Sequence, residues 1–64
     1  MLSEWELWAV AHETLRLHGE QAPAFVAERI EALMLAGDAA GVATWGAIAT
    51  RMARLSDQPR GAPH

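Results

Sequence analysis

Two glycines, Gly19 and Gly37, constrain this chain more than any other feature, because they divide its first 55 residues into three runs that each carry helix-start and helix-stop signals. The first run opens on Ser3-Glu4-Trp5-Glu6. This is a capping box: the serine hydroxyl accepts from the Glu6 amide while the Glu6 carboxylate reaches back to the cap. Leu2 and Leu7 flank it as a hydrophobic staple. The run closes on Arg16-Leu17-His18-Gly19, with cationic side chains near the negative helix end and a glycine suited to a left-handed cap.

The second run starts within Gln21-Ala22-Pro23, where a first-turn proline loses no hydrogen bond, and ends before Gly37. Asp38 is a strong N-cap for the third. The prediction is an all-α, compact three-helix domain, residues 1–55, with helices at about 4–18, 21–36 and 39–55. Residues 56–64 lack apolar periodicity and read as a flexible, disordered C-terminal tail.

The helical wheel puts Leu7, Ala11, Leu15, Trp8, His12 and Trp5 on one broad face of the first helix, and sets Val10 and Leu17 beside Glu6 and Glu13. The buried stripe of the second helix is Val26, Ile30, Leu33 and Met34, with Phe25 at its margin and Leu35 near the glutamates. Trp45, Ile48, Ala49, Met52 and Leu55 form the cleanest apolar face, on the third helix. Gly41 and Gly46 cost that helix about 1 kcal/mol each relative to alanine, and close approach by a neighbour would account for them.

So small a chain buries little of its surface, and mini-domains usually add a staple. With no cysteine, disulfides and thiolate metal sites are excluded. Dense aromatic packing or self-association remains. Three tryptophans among 64 residues serve either. Trp8 and Trp45 are expected to meet across the core, and Trp5, in the exposed first turn, to be partly free. Exposed Trp5, Val10, Leu17 and Leu35 would form a protein-interaction patch, larger than a monomer normally shows. The expected partner is therefore another protein or a second copy of the chain, possible as a homodimer.

Charge is unevenly distributed. Residues 1–37 hold six acids against Arg16 and Arg29, whereas residues 38–64 hold two acids against Arg51, Arg54 and Arg60, so a net −4 precedes a net +1. Arg51, Arg54 and Arg60 could form a weak nucleic-acid-binding stripe, the alternative function. Overall acidity disfavours it, and a helix-turn-helix reading of the last two helices lacks base-reading side chains at the start of the third. Arg29, near Phe25 and the edge of the buried stripe, suits an ion pair to the first helix or a stack on an indole.

Chemistry finds no foothold. His12-Glu13 and His18 miss the four-residue histidine spacing of a helical zinc motif. Glu28 and Glu31 read as a solvated face, and no glycine-rich phosphate loop or nucleophile elbow occurs. No catalytic, cofactor or metal site is expected, and the reading is of a protein that is not an enzyme. The N-terminus shows no basic segment ahead of an apolar run, and no stretch approaches the ~18 apolar residues of a membrane span. A cysteine-free chain suits the reducing cytoplasm.

The runs Phe25 to Leu33 and Ala36 to Trp45, with His18-Gly19 and Ala22-Pro23 ahead of them, resemble a group of small uncharacterised proteins of alphaproteobacteria, especially sphingomonads. The likeness covers roughly residues 4–55 and is most specific from Ala27 to Trp45. It implies a bacterial, cytoplasmic, helical protein and brings no activity or functional residue with it.

Overall fold

The computed structural model describes residues 2–57. Helix α1 spans Glu4–His18, α2 spans Ala22–Leu35 and α3 spans Ala39–Asp57, and among the described residues there is no strand. A 3-10 turn, Gly19–Gln21, fills the gap between α1 and α2. The Ala22 amide bonds back to the Gly19 carbonyl, so helical hydrogen bonding resumes without a loop. The chain is thus one bent helical run from Glu4 to Leu35 with α3 packed into the bend, not three helices on two loops. Gly19 makes the bend at φ 55°, ψ −128°, a combination open to glycine.

Both reciprocal bonds of the capping box form, Ser3 N–H to Glu6 Oε1 at 2.8 Å and Glu6 N–H to Ser3 Oγ at 3.4 Å. Leu2 and Leu7 pack against the core as the staple requires. The α2–α3 turn is a Schellman motif. The Asp38 amide donates to Leu33 O at 2.9 Å and the Gly37 amide to Met34 O at 3.1 Å, with Gly37 at φ 75°. Asp38 then caps α3 by accepting from the Gly41 amide at 2.8 Å.

Asp38 also explains Gly41. A Cβ there would stand 2.8 Å from Asp38 Oδ2 and 3.1 Å from Leu33 Cδ2, so the capping side chain and Leu33 would both have to shift to admit it. Gly46 has nothing within 4 Å of the same position, so the expectation of a close neighbour is wrong there.

Ala11, Ala22, Val26, Ile48 and Met52 form the fully buried core, with Leu7, Val10, Leu15, Phe25, Ile30 and Trp45 packed around it. Leu2 and Leu7 share a groove with Ala40, Ala43 and Ala47, and Leu15 shares another with Met52 and Ser56. Helices α1 and α3 therefore run parallel, with α2 antiparallel to both.

Three placements differ from the wheel. The buried side of α1 centres on Ala11 and Thr14, and the Thr14 hydroxyl satisfies itself on Val10 O at 2.7 Å. That rotation carries Val10 onto the core and leaves Trp5 and His12 outside. Met34, assigned to the buried stripe, is exposed, because α2 reaches its capping turn before α3 can cover it. Helix α3 continues through Ser56 and Asp57, which were expected in the tail. Neither breaks a helix, and the nearest breaker in the sequence is Pro59. The rest of the expected tail, 58–64, lies outside the described residues.

Candidate functional site

Each tryptophan occupies a different environment. Trp8, half-buried, donates its indole N–H to Glu4 Oε2 at 2.7 Å. The same carboxylate receives Arg51 from α3, Nη2 lying 2.9 Å from both oxygens and Nε 3.2 Å from Oε2. Arg51 Nη1 donates to Ala47 O at 2.8 Å, and its Cζ lies 5.6 Å from the Trp8 ring centroid. Glu4, Trp8 and Arg51 thus form a closed clasp between the start of α1 and the middle of α3. The Arg51 and Trp8 hydrogen bonds hold the Glu4 carboxyl below its ordinary range.

Trp45 meets Phe25 edge-on at 6.1 Å, not Trp8. Phe25 in turn stacks on His18 at 4.1 Å, and Arg29 Cζ sits 5.8 Å from the Trp45 centroid. This ladder ties both ends of the bend to α3. Of the two roles open to Arg29, the structure selects the indole stack; the ion pair to α1 belongs to Arg51. That pair escapes sequence reasoning because its partners are 47 residues apart, and no local spacing announces it.

Trp5 is 72% exposed. It shares the outer face of α1 with Ala9, His12 and Arg16, all exposed, at i, i+4, i+7 and i+11. Leu17 and Leu35 are exposed as expected, but Val10 is half-buried against the core. The four do not form one patch. Leu17 lies twelve residues beyond Trp5, about 18 Å along α1 and roughly 120° around it. Leu35 belongs to the end of α2, beside the start of α3, and so lies at the Trp5 end of the bundle with exposed Met34.

Of the arginines read as a nucleic-acid stripe, Arg51 is consumed by the clasp, its side chain only 18% exposed. Arg54 is exposed, and Arg60 lies outside the described residues. His12, which shares the broad apolar face of the wheel with Trp5 and Trp8, is exposed. Among the described residues, no three His, Cys, Asp or Glu side chains gather where they could hold a metal. A groove of about 340 Å³ between α2 and α3 is lined by apolar residues such as Ile30, Ala49 and Met52, with Ser56 and Asp57 among its few polar groups. It offers shape without convergent chemistry. No described helix is long and apolar enough to cross a membrane.

A family model matches residues 3–60, which includes the capping box, both glycine turns and all of α3. The chain belongs to a family of unknown function, DUF6961. The matched span takes in all three helices. No curated protein and no solved structure matches the chain.

Proposed function

We propose that this member of DUF6961 is a small non-catalytic interaction module, an adaptor or regulator that binds a protein through the tryptophan-bearing face of α1. The observation that carries the reading is Trp5. Trp8 and Trp45 are both engaged in holding helices together, whereas Trp5 is 72% exposed on a regular helix whose packing does not use it. A large amphipathic ring in that position supplies little to folding and much to an interface, where tryptophan and arginine dominate binding energy. Less supports the nucleic-acid alternative, because one of its three arginines, Arg51, is committed to Glu4. The setting we assign is a bacterial cytoplasm, on the strength of the sequence resemblance and the absence of cysteine.

The test is Trp5→Ala. The variant should keep the helical circular dichroism and unfolding midpoint of the parent while losing the proteins that the immobilised parent retains from a lysate of its source organism. Loss of helicity would make Trp5 a folding residue, and unchanged retention would remove it from the interface.

A further inference from the structure

The partner of the Trp5 face can be read from how this chain treats its other indoles. Trp8 lies under Arg51 at 5.6 Å and Trp45 under Arg29 at 5.8 Å. Among the described residues Trp5 has no such cation. The one arginine on its own face is Arg16, eleven residues along α1 and so about 16 Å away, beyond reach within the same helix.

Turning a second α1 antiparallel to the first closes that gap twice. In the register that sets Trp5 opposite Arg16, Ala9 falls opposite His12, and the two-fold axis passes midway between these central positions. Every residue of the exposed face Trp5, Ala9, His12 and Arg16 then has a counterpart from the same face, as an isologous contact requires.

We propose that the occupant of this face is a second copy of the chain, with α1 packed antiparallel on α1 and the Arg16 guanidinium of each copy laid over Trp5 of the other. The proposal rests on the reading of the Trp5 face as an interface and names what fills it.

Three further features agree. Arg16 already holds Glu13 through its fork, Nε to Oε1 at 3.1 Å, which leaves the flat face of the guanidinium open; Arg51 binds Glu4 and covers Trp8 in the same double manner. Helix α1 carries Glu4 and Glu6 in its first turn and Arg16 and His18 in its last, so antiparallel copies bring acidic starts beside basic ends and oppose the helix dipoles. Ala9, at the centre, is small enough to let two helices approach to the usual 8–10 Å. A single helix pair covers less than a standard interface, so the dimer is a weak one, populated by concentration.

The experiment is sedimentation equilibrium of the whole chain from about 5 to about 500 µM, where weak association registers. The mass should climb from the 6.9 kDa monomer toward its double. Trp5→Ala and Arg16→Glu, each checked for parental helicity, should weaken association at least tenfold. Because the chain has no cysteine, the register can be read by oxidation. An equimolar mixture of Ala9→Cys and His12→Cys copies should form the mixed disulfide in preference to either like pair.

A parent that stays monomeric throughout overturns the proposal, as does a dimer indifferent to both substitutions or a preference for either like pair, which marks parallel helices or another register. A monomeric parent whose lysate partner still depends on Trp5 would sink the second copy alone and leave the interaction reading standing. A dimer indifferent to Trp5, with lysate retention equally indifferent, would sink both.

Discussion

Replacing Gly46 and, separately, Gly41 by alanine puts the same chemical change at two sites of one helix and should move stability in opposite directions. Each substitution gains about 1 kcal/mol of intrinsic helix preference. At Gly46 nothing opposes it, since a Cβ there has open space within 4 Å and the Thr50 hydroxyl bond to the Gly46 carbonyl is untouched. For a domain of this size, about 1 kcal/mol corresponds to a rise of roughly 4–8 °C in Tm.

At Gly41 the new methyl would lie 2.8 Å from Asp38 Oδ2 and 3.0 Å from its Cγ, so the capping side chain must move. The lost cap costs about 1 kcal/mol. Leu33 Cδ2, 3.1 Å away, must also give, which forces its rotamer at a cost of about 0.5–1.5 kcal/mol. The net is a loss of roughly 0.5–1.5 kcal/mol, and the two variants should differ by about 2 kcal/mol. Urea and thermal unfolding followed by circular dichroism measure both, with an unchanged m-value confirming that only stability has moved. Equal stabilisation by the two alanines would refute the argument. It would mean that Asp38 and Leu33 do not hold the positions that make Gly41 necessary.

Acid should loosen the start of α1 by a mechanism of known sign. The bonds from Arg51 and Trp8 lower the Glu4 carboxyl, and those from Ser3 lower Glu6, below the ordinary value of 4.5. Their stabilisation is therefore complete above about pH 4.5 and is lost as pH falls through the lowered folded-state values. Unfolding midpoints measured between pH 6 and 2 should fall in that window, and less steeply in a Glu4→Gln, Glu6→Gln double variant; a parent midpoint flat from pH 5 to 2 would contradict the bonding described. Ile48→Ala removes the largest fully buried side chain and should cost about 2–5 kcal/mol. Total stability at this length is roughly 3–10 kcal/mol, so the loss takes a large share of it and the unfolding midpoint should fall by roughly 10 °C or more; a midpoint close to the parental one would show that Ile48 is not central.

The order of the helices and most of their ends were legible in the residues alone, because caps and turns are short-range physics. Ser3 and Glu6 form their capping box wherever the helix goes next. Gly37 takes its left-handed conformation because the Schellman bonds close within six residues, and Asp38 caps the helix that follows. Helix α3 runs two residues past the end of its apolar periodicity, because loss of periodicity at Ser56 is not a helix stop.

The candidate site was less legible. Exposure of Leu17 and Leu35 followed from the wheel and that of Trp5 from its place in the first turn, but their joining into one patch did not follow, because a wheel records angle and ignores distance along the axis. Val10 moved to the core and His12 to the surface because α1 has two neighbours, α2 and α3, and their joint position sets which side of it is inner. One buried threonine, content with a backbone carbonyl one turn away, allowed that rotation and broke the apolar pattern that would have revealed it.

Pairings over long separation belong to tertiary structure alone. Nothing near Arg51 in the sequence marks Glu4 as its partner, yet once α3 lies parallel to α1 the two meet over the Trp8 ring, and an arginine that read as free charge becomes a fastening. The sequence determined where helices begin and end, since those signals act within one or two turns. Packing decided which tryptophan was left over, since that depends on how α1 and α2 close around α3 and on which arginines reach which rings.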